Sequence, residues 1–143
     1  MVEISAGCEV SVSTDSSAKP EVSVPDCEPP TELFSVDVVE GSGPEAAAGD
    51  AVSVQYAGFN WSTGEQFDAS WDRGATPFDV TPLGSAPVIQ GWNDGLLGAQ
   101  VGDRRLLVIP PDLGYGAAGA GGVIGPNETL VFVVDVVAIN GQS

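Results

Sequence analysis

Ala86-Pro87-Val88-Ile89-Gln90-Gly91-Trp92-Asn93-Asp94-Gly95-Leu96-Leu97 is the stretch from which the rest of the chain is read. Val88 and Ile89 read as the end of an extended segment, and Gly91, with no Cβ, lets the backbone turn closely. From Trp92 to Leu97 the pattern predicts a short helix. Asn93 or Asp94 can accept orphan N–H groups of its first turn, and Leu96 and Leu97 give it an apolar face. An indole at a helix start, preceded by aliphatics, makes a good floor for an apolar pocket. Taken alone, Trp92 reads more readily as ordinary core. The floor reading needs walls from elsewhere in the chain.

Working outward, the surrounding segments read as strands. Leu33 to Val39 is extended and ends at the turn signal Gly41-Ser42-Gly43-Pro44. Val52 to Gly58 alternates with period two, as a half-buried strand does. Thr63-Gly64 turns the chain into Gln66 to Ser70, and Pro77 to Val80 is a further short strand. After Gly102-Asp103, Arg104 to Ile109 is extended and stops at Pro110-Pro111. Residues 112–128 read as a long Gly/Ala/Pro loop with no element of its own. Thr129 to Ile139 is continuously apolar, long enough for the centre of a sheet. The expected class is α+β: five or six antiparallel strands curled around one short helix. Residues 1–30 read as a polar N-terminal extension, an arm or a pair of edge strands, and 31–140 as the folded domain.

Charge and composition narrow the function. The 143 residues carry 20 Asp and Glu against four Lys and Arg, a net charge of −16, with 43% hydrophobic residues. A packed core is expected. Nucleic acid and anionic membrane surfaces are disfavoured as partners, because both need clustered cations. No apolar run is long enough for a helical membrane span. The chain has no His, which removes His-based general bases, triads and metal sites. Cys8 and Cys27 match no metal or redox motif. Either they form a disulfide, which implies an oxidising compartment, or they are two unrelated thiols. Their even count and shared segment tilt the reading to a disulfide, and with it to an exported or extracytoplasmic setting.

Gly114-Tyr115-Gly116-Ala117-Ala118-Gly119 matches the dinucleotide pattern G-x-G-x-x-G. It is rejected, because the chain runs on through further glycines and Pro126 where a helix N-terminus must face the pyrophosphate. Asn60-Trp61-Ser62 and Asn127-Glu128-Thr129 are glycosylation sequons by pattern only. What survives is a set of aromatic and aliphatic residues with a few polar handles: Tyr56, Phe67, Asp68, Arg73, Phe78, Val88, Ile89, Trp92, Tyr115 and Phe132. Arg73, the only cation between Lys19 and Arg104, is expected to pair with Asp68.

Phe67-Asp68-Ala69-Ser70, Val88-Ile89-Gln90-Gly91-Trp92, Pro111-Asp112-Leu113-Gly114-Tyr115-Gly116 and Thr129-Leu130-Val131-Phe132 stand in an order and spacing that resemble the FKBP-type peptidyl-prolyl isomerases. Val54 to Gly58 resembles that family's earlier strand motif. The resemblance implies an FKBP-like sheet curled around one helix, with isomerase activity assisting protein folding. Trp92 is then the floor of the pocket, and Tyr56, Phe67, Phe78 and Phe132 are its walls. Val88 and Ile89 line one side, and the Ile89 N–H donates to a ligand carbonyl. Asp68, held by Arg73, and Tyr115 are the catalytic pair, while Ala120, Val123 and Ile124 belong to an overhanging loop. Proline-containing polypeptides and macrolides such as tacrolimus or rapamycin are the implied ligands, with no cofactor, no metal, and a monomeric state. Ala120-Gly121 stands where relatives often carry His-Pro, and Leu113 where some carry a second tyrosine. A non-catalytic chaperone or peptide-binding module of the same fold is the alternative.

Overall fold

The computed structural model describes residues 2–5, 7–15, 17–120 and 124–142. Its first three strands, β1 (Val2–Ser5), β2 (Cys8–Val12) and β3 (Val22–Ser23), form a small antiparallel sheet in that order. The second sheet has six strands: β4 (Phe34–Val39), β5 (Val52–Asn60), β6 (Gln66–Ala69), β7 (Phe78–Val80), β8 (Arg104–Ile109) and β9 (Leu130–Ile139). Its order is β4-β8-β9-β5-β6, with β7 pairing farther along β5, and every pairing is antiparallel. One α-helix, α1 (Gln90–Gly95), lies across it.

Period-two alternation assigns each strand residue to one of two cores. On the inner face Val52, Val54, Tyr56, Leu107, Ile109, Leu130, Phe132 and Val134 pack with Trp92 and Leu96 of α1. On the outer face Ala57, Phe59, Leu106, Val108, Val131 and Val133 pack with Cys8, Val10 and Val12 of the small sheet. Two-sided burial explains why Leu106 to Ile109 of β8 and Leu130 to Val134 of β9 are apolar at consecutive positions: each strand is buried on both faces over nearly its whole length.

Two adjacent arginines tie the layers to the sheet. The fully buried Arg104 pairs with Asp135 at 2.7 Å, and its guanidinium donates to the Ser13 and Ala18 carbonyls of the N-terminal layer. Arg105, pointing the other way, pairs with Asp37 and donates to the Gly95 and Leu97 carbonyls at the C-terminal end of α1. A cation suits that helix end. The close approach of α1 to β8 requires a glycine at position 91. A Cβ there would meet Ile109 side-chain atoms at 2.5–2.8 Å.

Several expectations are corrected. The extension is not a free arm: its two alternating runs are strands, as the other reading had it, and they pair with each other and not with the main sheet. It is a three-stranded second layer, because the apolar outer residues of β5, β8 and β9 need a cover. The favoured reading of the cysteines, by contrast, holds: Cys8 and Cys27 are joined as a disulfide, and the Cys27 carbonyl accepts the Trp61 indole N–H at 2.8 Å. The helix starts at Gln90, ahead of Trp92, and ends at Gly95 rather than Leu97. Val88 and Ile89 precede it without belonging to a strand. Asn93 does not cap the helix. Its side chain accepts from Gly84 and Ala86 N–H and donates to the Ala86 carbonyl, pinning the preceding loop. β6 stops at Ala69, and Ser70–Arg73 forms a 3₁₀ turn. The loop after β8 holds two more such turns, Pro111–Leu113 and Gly116–Ala118, since Pro at a first helical position and small residues favour tight local bonding.

Candidate functional site

Between the inner face of the sheet and α1 lies a pocket of about 220 Å³. Tyr56 enters it from β5, Phe132 from β9, Phe78 from β7 and Trp92 from α1. The rings stand edge to face. Tyr56 and Trp92 have centroids 5.1 Å apart at 74°, Trp92 and Phe132 5.2 Å at 84°, and Phe67 and Phe132 5.4 Å at 89°. Such T-shaped contacts hold each ring by its neighbour and make a rigid apolar wall. Gly58 permits the last contact, for a Cβ there would lie 2.6 Å from atoms of both rings.

Phe67 and Asp68 are successive residues of β6, and both line the pocket. Strand alternation alone would send them to opposite faces. The register shifts beside them, Gly58 opposite Asp68 but Phe59 opposite Gln66, so that Phe67 is an extra, bulged residue. A bulge re-aims side chains in this way. Val88, Ile89 and Pro87 close the helix side, and Tyr115 stands at the mouth between the two 3₁₀ turns, 41% exposed.

The polar edge of the pocket is a closed triangle. The Tyr56 hydroxyl donates to Asp68 Oδ2 at 2.7 Å and accepts from Arg73 Nη2 at 2.6 Å, while Arg73 Nη1 pairs with Asp68 Oδ1. Partial burial works against charge on Asp68, but the hydrogen bonds from Tyr56 and Arg73 outweigh it and hold the carboxyl below its ordinary value. Burial, with the hydrogen bond to Asp68, raises the Tyr56 phenol above its own. The 3₁₀ turn carrying Arg73 is anchored by the buried Ser70. The Ser70 hydroxyl donates to Gln55 Oε1 at 2.7 Å and accepts the Tyr56 backbone N–H at 2.8 Å.

The structure therefore gathers Tyr56, Phe67, Asp68, Phe78, Val88, Ile89, Trp92, Tyr115 and Phe132 around one cavity. Arg73 reaches it through Asp68 and Tyr56 rather than by lining it. Ala120 and Ile124 do not line the pocket: they pair with each other, and Ile124 is buried in the inner core. Expected beside them, Val123 lies outside the described residues. Pro87, Ser70 and Gln55 were not singled out from the sequence. All three stood inside quoted stretches, but nothing in those stretches marked Ser70 or Gln55 as anchors of the site. Among the described residues no three His, Cys, Asp or Glu side chains stand close enough to hold a metal ion, and no helix is long and apolar enough to cross a membrane.

An antiparallel sheet curled on one short helix, with an aromatic hollow between them and a carboxylate at its edge, defines a class of pocket-bearing α+β domains. The model of the FKBP-type peptidyl-prolyl cis-trans isomerase family matches residues 43–137, and the chain belongs to that family. It is 55% identical over 122 residues to an FK506-binding protein of Streptomyces anulatus, spanning 85% of this chain and 97% of that one. An FK506-binding protein of Neisseria meningitidis is 45% identical over 107 residues, 75% of this chain and 95% of the relative. The crystal structure of FkpA from Escherichia coli superposes with a TM-score of 0.66 at 40% identity, over 75% of this chain and 47% of that one. This chain thus spans just under half of the FkpA structure.

Proposed function

We propose that the protein is a working peptidyl-prolyl cis-trans isomerase, and that residues 31–140 carry the activity while residues 1–30 serve as cover for the sheet. The observation that supports this most is the apolar ring of Tyr56, Phe67, Phe78, Trp92 and Phe132 with Asp68 and Tyr115 at its edge. Rotation about an X-Pro bond meets a barrier of roughly 20 kcal/mol, because amide resonance is lost in the twisted form. The twisted amide has less charge separation than the planar one, so an apolar enclosure favours it relative to water. The proline ring sits on Trp92 between the aromatic walls and Val88. The Ile89 N–H and the Tyr115 hydroxyl donate to substrate carbonyls, and Asp68, fixed by Arg73 and Tyr56, stands beside the rotating amide. Held donors at the rotated carbonyl add electrostatic stabilisation. A 10⁴-fold acceleration needs only about 5.5 kcal/mol, and no nucleophile, metal or general base is required. The same pocket takes the macrolide for which its relatives are named.

A protease-coupled or direct spectroscopic assay of a Leu-Pro peptide tests the reading. The intact protein accelerates cis-to-trans conversion, tacrolimus or rapamycin blocks it, and Asp68→Val with Tyr115→Phe abolishes it. No acceleration by the folded protein overturns the proposal. Suppressed aggregation of a proline-free client without any isomerisation would point instead to a binding module of the same shape.

A further inference from the structure

Two successive residues of α1 serve the pocket in different ways. Trp92 is its floor, locked by edge contacts with Tyr56, Phe78 and Phe132 from three strands of the sheet. Asn93, about 100° farther round the helix, turns its side chain to the loop that precedes it. Asn93 is 2% exposed. Its Oδ1 accepts the Gly84 N–H at 2.9 Å and the Ala86 N–H at 3.0 Å, and its Nδ2 donates to the Ala86 carbonyl at 3.1 Å. From Gly84 to Val88 these are the only hydrogen bonds to another element among the described residues. The Ser85 N–H to the Pro82 carbonyl and the Val88 N–H to the Ala86 carbonyl are internal to the loop.

That loop carries three consecutive pocket residues, Pro87, Val88 and Ile89. The Ile89 N–H donates to nothing among the described residues, whereas the Ile89 carbonyl accepts the Trp92 N–H at 3.1 Å and returns the chain to the helix. Val88 and Ile89 belong to no strand and are only half-buried, so neither a ladder nor close packing sets their place. Two clamps do: the Asn93 amide at Ala86 and the helix backbone at Ile89. Pro87, between them, has its φ fixed by its ring, which leaves the span little play. The sheet thus fixes the floor of the pocket, and a single buried amide fixes the loop that stands beside it. A group misplaced by about 1 Å in such a site can cost on the order of 10²-fold.

We propose that Asn93 is a positioning residue of this site: through the loop it places the Ile89 N–H against the Trp92 floor and so sets how tightly a substrate carbonyl is held. It touches no substrate itself. The inference rests on the isomerase reading for its kinetics but not for its spectroscopic arm. With a Leu-Pro peptide, Asn93→Ala raises KM about tenfold and changes kcat by less than about twofold, because a donor that holds the substrate before and during rotation contributes to binding more than to turnover. In the ligand-free protein the Ile89 amide signal of a proton–nitrogen correlation spectrum moves or splits. Ser35→Ala is the control. It removes the bond from the Ser35 hydroxyl to the Gly95 carbonyl at 3.1 Å, loosens α1 at its other end, and leaves both KM and the Ile89 signal close to native. A native KM or an unmoved Ile89 signal in folded Asn93→Ala overturns the proposal. An equal rise of KM in Ser35→Ala overturns it too, since any loosening of the helix would then suffice. If Asn93→Ala does not fold, Asn93→Asp, which keeps the acceptor and loses only the bond donated to Ala86, carries the same measurements. A rise in KM of about threefold is then expected, and none overturns the proposal. If the native protein turns over no Leu-Pro peptide, the isomerase reading fails separately, and the Ile89 signal alone decides the role of Asn93.

Discussion

Both faces of the main sheet carry apolar side chains, and the two are covered in different ways. On the outer face Leu106, Val108, Val131 and Val133 are sealed completely beneath β1, β2 and β3, and Val10 of the cover is itself fully buried. On the inner face α1 is only six residues long and cannot span the sheet. Phe78 and Tyr115 stay about 40% exposed, and Phe67, Val88 and Ile89 are half-buried. A sheet face left uncovered in this way keeps an apolar hollow facing water, which costs stability and is kept where a ligand fills it. The neighbours Arg104 and Arg105 make the same contrast in miniature, one bonded to the cover and the other to the helix. Chemistry should therefore reside in the open part of the inner face, while the outer face serves stability alone.

The sharpest way to break that division is Arg104→Ala. It leaves Asp135 buried and unpaired and strips two carbonyls of their donor, so unfolding in urea should be easier by about 3–5 kcal/mol. That is a large share of a typical domain stability. Arg104→Met with Asp135→Leu should recover most of it. Next comes the disulfide, whose partners are 19 residues apart. Replacing both cysteines by serine should cost about 3 kcal/mol in the same assay, and kcat/KM under folding conditions should stay within about twofold. A large loss of activity would show that the faces are not independent.

On the inner face, Asp68→Asn should reverse the pattern. Its pair with Arg73 is more than one-third exposed, so stability should change by less than about 1 kcal/mol. Isomerisation should fall about tenfold, chiefly in kcat, because a charged acceptor beside the rotating amide is lost. The smallest expected effect is that of pH. Asp68 titrates below the ordinary carboxylate value and Tyr56 above the ordinary phenol value, so kcat/KM should be flat from about pH 5 to 9. For stability the sign follows from the depressed pKa of Asp68. Its contribution is complete above the unfolded-state pKa and is lost as pH falls through the folded value. A bell-shaped profile centred near neutrality would contradict the arrangement.

Much of this was legible beforehand. The residues lining the pocket fell almost entirely inside motifs that could be read in order, because each lies on a short, strongly patterned segment such as Val52 to Tyr56 or Leu130 to Phe132. The Asp68–Arg73 pair was foreseeable from the scarcity of cations alone. Helix limits were less legible. Asn93 looks like a cap in sequence, yet its amide is better satisfied by Gly84 and Ala86 across the loop. Ala120 and Ile124 were expected beside the ligand, but they bridge to each other, and Ile124 is buried in the inner core. Ser70 and Gln55 act only through contacts some fifteen residues apart, which no local pattern reveals.

By itself the sequence determined the strand pattern, the aromatic set, the absence of His-based chemistry and the family, since hydrophobic period, residue type and motif order are local properties. Only the tertiary structure decided that Val2–Ser5, Cys8–Val12 and Val22–Ser23 form a second sheet, that a bulge turns both Phe67 and Asp68 to one side, and that Arg104 and Arg105 serve opposite layers. Each of these depends on which apolar face remains uncovered once the strands have paired. That is a property of the assembled sheet, and no single segment carries it.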